Sequence, residues 1–378
     1  MENNLINKYL KGDRMIWLVV AILSVFSILA VYSSTGSLAY RFQQGNTEYY
    51  VLKHLVILVL GFVIIYFTHK INYINYAKIA RLGLIVVVPL LFFTLLSGHN
   101  VNEASRWLKL PVMGLTFQTS DFAKIALLLF LSRALSKRQD QPIELKDFII
   151  NILLPVLVIC ALIVPANFST AAVLFVTSLT VMFIGRIPFK HMAMLFGAGV
   201  ICLVLFIGVS KLVGYEGRIA TWMERIENFS EPKTDEIDQS TQAKIAIAKG
   251  GAFGVGPGKS TQRNFLPQAF NDFIFAIICE EYGVWGAALI LFMYIILMFR
   301  AVSFVRKSPK AFASLLAFGC CFSLVFQAMI NMAVATNLFP VTGQALPMVS
   351  MGGTSIWFTS IAIGILLSIS KSFEQEGG

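Results

Sequence analysis

The residue whose setting calls for chemistry is Asp272. It stands immediately before the apolar run Phe273-Ile274-Phe275-Ala276-Ile277-Ile278, within Lys249 to Gly283, KGGAFGVGPGKSTQRNFLPQAFNDFIFAIICEEYG. That stretch crowds glycines, Asp272 and two further acids, Glu280 and Glu281, into the mouth of a greasy helix, while charge is otherwise kept out of the apolar runs. An acid at such a boundary is expensive to place and reads by default as a functional residue. Asp is also favoured at a helix N-cap, and a capping carboxylate can still serve as a base.

Two other chemistries suggest themselves and fail on spacing. GlyProGlyLysSerThr at 256–261 resembles a phosphate loop, but a Walker A motif needs Gly five positions before Gly258, and Phe253 stands there. A turn-rich connection with close backbone approach fits better, with Lys259 and Arg263 beside it as possible phosphate partners. Asp272 and Glu280 as paired hydrolytic carboxylates would stand roughly 12 Å apart along a straight helix, beyond either glycosidase geometry. Glu280 and Glu281 can instead pair with a cation among the helices.

Other polar residues stand within or between apolar runs. Asp121 and Lys124 share a helix face at i,i+3, as a structural ion pair or as lining of a polar cavity. Gly98 to Ser120 holds Asn102, Glu103, Arg106, Trp107 and Lys109, where an Arg-Trp pair suits an interfacial anchor or a polar ligand site. Pro340, Gly343, Pro347, Gly352 and Gly353 break the segment before the last apolar run, and such backbone is tolerated at membrane depth only under protein cover or along a cavity. His54, His69, His99 and His191 show no ligand spacing and read as boundary residues.

The elements that must position these residues are membrane helices. Of 378 residues, 57% are hydrophobic and 13% charged, with mean hydropathy +0.75, which excludes a soluble globular domain. The reading is an all-α polytopic membrane protein with about ten spans, at roughly 15–34, 51–68, 76–97, 119–135, 148–165, 168–185, 189–211, 272–299, 311–333 and 352–370. It forms a single integral membrane domain over 1–378, with one long extracytoplasmic loop, 212–271, between helices 7 and 8. The polar start lacks a cleavage site, so the first helix is expected to stay in the mature protein.

The net charge of +10 is scattered through short loops rather than gathered into a nucleic-acid stripe. Its bias predicts both termini on the cytoplasmic side. The acidic run at 231–239 reads as a solvated loop tip, and its flanks, 218–225 and 242–258, as amphipathic or turn-rich segments over the membrane surface. The five cysteines fall in apolar runs without CxxC spacing and imply neither disulfides nor a metal site.

The motifs resemble those of the SEDS family, the bacterial ten-helix cell-wall glycosyltransferases. The resemblance rests on GVGPGKSTQ at 254–262, LP at 266–267, DFIFA at 272–276 and EEYG at 280–283. Further blocks follow the family order: RW at 106–107, QTSDFAK at 118–124, Gln242, Asn331 and LFPVTGQALPMVSMGG at 338–353. The chain departs from the family pattern at Gln268 and Phe270, where Glu and His are common, at Thr119 and Asp121 (Pro and Glu), and at Asn167 and Ser169 (Asp and Gly). Phe270 argues against an essential proton shuttle at that position.

The resemblance implies polymerisation of lipid II into glycan strands at the outer face of the bacterial cytoplasmic (inner) membrane. The GlyProGlyLysSer form of the loop lies closer to the division branch. The alternatives are an elongation polymerase or a transporter that flips lipid II. By the same resemblance Asp272 is the catalytic base. Arg106, Lys124, Arg218, Gln242, Lys259, Ser260, Gln262 and Arg263 are substrate-binding candidates. Asp121, Glu280, Glu281, Pro340, Gly343, Ser350, Gly352 and Gly353 are supporting residues. A divalent cation, Mg or Mn, is an open possibility with no ligands assigned. The implied partners are lipid II, a class B penicillin-binding protein that supplies the transpeptidase, other division-complex proteins and the lipid bilayer.

Overall fold

In the computed structural model, the described residues are 11–97, 99–101, 104–109, 116–139, 143–212, 217–230, 239–266, 268–307 and 310–376. In chain order the elements are α1 (Arg14–Ser34), α2 (Gly36–Phe42), α3 (Thr47–Lys70), α4 (Tyr73–Ser97), β1 (His99–Val101), β2 (Ala104–Lys109), β3 (Thr116–Gln118) and α5 (Thr119–Ser136). Next come α6 (Leu145–Phe148), which runs through a π turn (Ile149–Leu153) into α7 (Leu154–Ile163), then α8 (Phe168–Ile184), α9 (Phe189–Leu212), α10 (Gly217–Ser230) and α11 (Gln239–Gly250). A 3-10 turn at Gln262–Asn264 precedes α12 (Ile274–Lys307), α13 (Ala311–Ala335) and α14 (Thr354–Glu376).

The ten expected spans all fall on helices. Among the described residues, eight helical segments are long and apolar enough to cross a membrane. The other two expected spans are α8, an apolar helix of 17 residues, and α5, which carries Asp121, Lys124 and Arg133 in its 18 residues. Helix starts follow local chemistry. Asp13 Oδ1 accepts from Met15 N at 2.8 Å at the head of α1, and Asn167 Oδ1 accepts from Thr170 N at 3.3 Å at the head of α8. Both are side-chain caps for otherwise unpaired amides.

Two features differ from the sequence expectation. The 98–120 segment contains a small antiparallel sheet in the order β1-β2-β3, with Trp107 opposite both His99 and Gln118. Each strand is only three to six residues long, too short for its alternation to show against the apolar runs on either side. The long 212–271 segment contains two helices, α10 and α11. On α10, Met223 and Ile226 are exposed while Ile219 is buried, in keeping with the expected amphipathic flank. The acidic run lies almost wholly outside the described residues.

The chain divides into two compact units. The first comprises Met1–Thr68, Arg225–Arg300 and Leu324–Leu367. In it α3 and α14 pack at small side chains, where a Cβ on Gly61 would meet Ser360 Oγ at 2.8 Å, and Trp357 Nε1 donates to the Ile57 carbonyl at 3.2 Å. Small residues let membrane helices approach this closely. The second unit comprises His69–Glu224, Ala301–Ser323 and Ser368–Gly378. Its core includes Leu127, Leu131, Ile159, Leu174 and Val181, and Arg138 forks onto both carboxylate oxygens of Asp147.

Candidate active site

Asp272 lies in a turn just before α12. The Phe273 carbonyl accepts from Ile277 N at 3.3 Å, which makes Phe273 the cap position and corrects the N-cap expectation for Asp272. Asp272 therefore sits one residue outside the helix, partly exposed. Its peptide is anchored from two directions. Asn331 Nδ2, on α13, donates to the Asp272 carbonyl at 2.9 Å and to the Gln344 carbonyl at 2.7 Å. Ser350 Oγ donates to the carbonyl of the preceding residue, Asn271, at 2.6 Å, and Met351 N donates to the Phe270 carbonyl at 3.0 Å.

Those partners sit on or beside the non-helical stretch that the prolines and glycines of 340–353 predict. The stretch runs within the first unit, and side chains from several helices take up its free carbonyls. Gln327 donates to Ala345 at 2.8 Å, Ser27 to Val349 at 2.7 Å, and Tyr294 to Pro347. Ser350 also accepts from Leu346 N at 2.8 Å. This is the protein cover that irregular backbone needs in a membrane. Gly343, at φ +65°, passes close enough that a Cβ on it would lie 3.6 Å from Asp272 Oδ2. Ser27 in turn lies 2.7 Å from His54 Nε2, and His54 is fully buried. The boundary reading of His54 is thus corrected: it is an interior residue that supports the Ser27 contact.

The glycine-rich loop does something its sequence only hints at. Glu280 is 0% exposed, and its carboxylate accepts from Thr261 N at 3.0 Å, Gln262 N at 3.3 Å, Thr261 Oγ1 at 3.1 Å and Ser260 Oγ, with Lys249 Nζ at 3.7 Å. Backbone amides, hydroxyls and a lysine form the donor set of a phosphate-binding nest, here closed around an internal carboxylate. Glu281, 1% exposed, accepts from Ser260 N at 3.1 Å and from Ser33 Oγ.

Gly283 makes this possible. Its φ of 63° and ψ of −161° break α12. The carbonyls of Glu280 and Glu281 then accept from Val255 N at 2.9 Å and Gly256 N at 3.0 Å, while Val284 N donates to Gly251 O at 3.0 Å. The break comes after Glu280, and the helix begins only at Ile274, so straight-helix spacing covers Ile274 to Glu280 but not Asp272 in the turn before it.

The other expected site residues fall as follows. Ser260, 2% exposed, spends its hydroxyl on Glu280. Gln262 contributes its amide to the same cradle. Arg263 Nη1 donates to the carbonyls of Ser33 at 3.1 Å and Gly258 at 3.2 Å. Lys259 is exposed, and Gln242 is half-buried on α11. Pro340, Gly343, Ser350, Gly352 and Gly353 all belong to the covered non-helical stretch.

Arg106, Asp121, Lys124 and Arg218 belong to the second unit. Asp121 and Lys124 form the expected i,i+3 ion pair at 2.8 Å. Arg106 lies on β2 and Arg218 on α10, with side chains outside the described residues. The second unit also holds an apolar cavity of about 290 Å³ lined by residues such as Leu157, Phe175, Phe196 and Phe206, with no Asp, Glu, His, Lys or Arg in its lining. Three residues that sequence reasoning did not place at the site are Ser33, Lys249 and Asn331. A Ser-Ser pair inside the apolar α1 and an Asn inside α13 were the available signals.

Eight apolar helices, with a partly exposed carboxylate held beside covered irregular backbone, define a polytopic helical membrane protein with one built polar site in its first unit. A family model described as "Cell cycle protein", covering FtsW, RodA and SpoVE, matches residues 13–375. The chain belongs to this family. It is 31% identical over 370 residues to the probable peptidoglycan glycosyltransferase FtsW of Trichlorobacter lovleyi, a match spanning 96% of this chain and 94% of that one. It is 28% identical over 367 residues to the stage V sporulation protein E of Bacillus subtilis, spanning 95% and 97%.

Solved structures share the fold. A chain from a peptidoglycan synthase complex superposes with TM-score 0.74 at 24% identity, covering 96% of this chain and 99% of that one. The rod shape determining protein RodA of Thermus thermophilus superposes with TM-score 0.69 at 23% identity, covering 97% and 98%.

Proposed function

We propose that this protein is a peptidoglycan glycosyltransferase that polymerises lipid II at the outer face of the bacterial cytoplasmic membrane for septal wall synthesis. The observation that carries the reading is Asp272: a carboxylate just outside a membrane helix, its peptide fixed by Asn331, in a chain of this family. The setting fits the chemistry. No ATP pool exists outside the cell, so sugar transfer there needs a substrate that already carries its leaving group, and a lipid pyrophosphate does.

In this reading the 4-hydroxyl oxygen of the acceptor GlcNAc attacks the anomeric carbon of the donor MurNAc. The bond from that carbon to the pyrophosphate oxygen breaks with inversion, and the hydroxyl proton passes to the Asp272 carboxylate. A positioned base contributes about 10²–10⁴ in rate. The charge that develops on the pyrophosphate needs cations, and such electrostatic stabilisation is often the larger effect. Lys259, exposed beside the loop, is the first-unit candidate.

Among the described residues no three His, Cys, Asp or Glu side chains gather as metal ligands. The chemistry above is written with side chains alone. The active assembly pairs this chain with a class B penicillin-binding protein as its cross-linking partner, both termini of this chain being cytoplasmic. The test is polymerisation of lipid II in detergent by the purified protein with that partner, wild type against Asp272→Asn. Polymer made by wild type and lost in a folded Asp272→Asn supports the reading. Since detergent has no leaflets, wild-type polymer also excludes a flippase alone, and near-wild-type polymer from Asp272→Asn overturns the base assignment.

A further inference from the structure

Three side-chain oxygens near Asp272 are buried and have no hydrogen-bond partner within the protein among the described residues: Asn271 Oδ1, Asn331 Oδ1 and Thr342 Oγ1. Each belongs to a residue tied to the Asp272 segment. Asn271 precedes Asp272 in the chain. Asn331 donates to the Asp272 and Gln344 carbonyls, at 2.9 and 2.7 Å, which fixes the amide so that its oxygen is the unpaired end. Thr342 precedes Gly343, whose missing Cβ would lie 3.6 Å from Asp272 Oδ2.

Buried polar atoms in native proteins are overwhelmingly paired, and a group of exceptions calls for an explanation. An amide oxygen can only accept, so whatever completes Asn271 and Asn331 must donate. A saccharide does this with hydroxyl and N-acetyl N–H groups. We propose that Asn271, Asn331 and Thr342 form the hydrogen-bonding wall of the acceptor-sugar subsite, reading donor groups of the sugar whose neighbouring hydroxyl Asp272 deprotonates. The proposal rests on lipid II as substrate and Asp272 as base.

The segment 340–343 contains Thr342 and approaches Asp272 at Gly343. It is held by Arg225 Nη1, which donates to the Val341 carbonyl at 3.0 Å, and it turns at Gly343 with φ +65°. The three oxygens are buried, so the proposal requires 340–343 to shift before a sugar reaches them.

The experiment measures lipid II binding to the full-length protein with its partner in nanodiscs. Asp272→Asn serves as parent so that no turnover occurs. Thr342→Val and Asn271→Ala are added singly, and thermal unfolding is recorded on the same samples. Each change is expected to weaken binding about 3–10-fold, the effect of one lost hydrogen bond. The unfolding midpoint should hold or rise, because replacing an unpaired buried acceptor with an apolar group removes an unsatisfied atom.

Unchanged binding would mean that water satisfies these oxygens, and it overturns the subsite. A midpoint that falls together with binding assigns the oxygens a structural role and overturns it as well. If the folded parent does not bind lipid II at all, the substrate reading fails and takes the subsite with it; if the parent binds and the variants bind equally, only the subsite fails.

Discussion

Asn331 holds Asp272 by its backbone: one amide nitrogen donates to the Asp272 carbonyl at 2.9 Å and to the Gln344 carbonyl at 2.7 Å. The proposed base is thus placed by a residue that holds its backbone and not its carboxylate. Asn331→Asp keeps the volume but replaces the donor with an acceptor, so that both carbonyls lose this bond in a site where Asn331 is 1% exposed. Each unpaired buried group costs about 1–3 kcal/mol. The variant is expected to unfold at lower temperature in detergent and to lose polymerisation. Asp272→Asn, whose backbone contacts are intact, should lose polymerisation without that thermal shift. Unfolding curves of the two variants side by side separate them.

Gly283 is the only residue type its position accepts. At φ 63° and ψ −161° it lies outside the regions open to side chains, and a Cβ would meet the Ala252 carbonyl oxygen at 2.4 Å. Strain of this kind costs about 1–3 kcal/mol before the clash is counted. Gly283→Ala is therefore expected to yield little monodisperse protein. Gly251→Ala is the control: it also has positive φ but meets nothing within 4 Å, and its cost should stay near 1 kcal/mol. Size-exclusion profiles of the two variants from matched membranes provide the check.

How much of this was legible depends on distance along the chain. The spans were readable because apolar runs of about 20 residues have one physical meaning. The break at 340–353 was readable because proline and glycine act locally. Asp272 stood out as an acid at a helix mouth, although the cap lies one residue later, at Phe273. The carboxylate cradle was not readable. Ser260 and Glu280 are twenty positions apart, and Ser33 reaches Glu281 across 248. The Ser and Thr of the loop looked like phosphate binders because a carboxylate and a phosphate ask for the same donors. His54 looked peripheral because its partner, Ser27, lies on a different helix.

The cradle is strongly asymmetric in its exposure. Glu280 is fully buried, whereas the Lys249 side chain is 41% exposed at 3.7 Å. Glu280→Ala leaves the amides of Thr261 and Gln262 and the Ser260 hydroxyl without their acceptor, and each buried donor left unsatisfied costs about 1–3 kcal/mol. Lys249→Ala removes a largely solvated charge and should cost about 0–1 kcal/mol. Limited proteolysis in the 250–263 loop is the direct measurement. Glu280→Ala should be cut readily there, and Lys249→Ala should resemble wild type. Equal resistance of both would show that the carboxylate does not hold the loop.

The last prediction separates Lys259 from its neighbour Ser260, which sequence alone assigns to the same role. Ser260 is buried and bonded to Glu280 through its hydroxyl, so Ser260→Ala should lower the unfolding midpoint. The loss is one charge-assisted bond, worth about 1.5–3 kcal/mol, together with the bond the hydroxyl accepts from Arg263 N at 3.2 Å, and KM for lipid II should hardly change. Lys259 is exposed at the turn that closes with its own amide on Gly256 O at 3.2 Å. Lys259→Ala should leave the midpoint in place and raise KM, because only a side chain not committed inside the protein can meet a pyrophosphate as a point charge. Parallel kinetics and unfolding on the two variants decide the matter. If Ser260→Ala raises KM at constant stability, the hydroxyl turns to substrate and the closed cradle is not the working state of the loop.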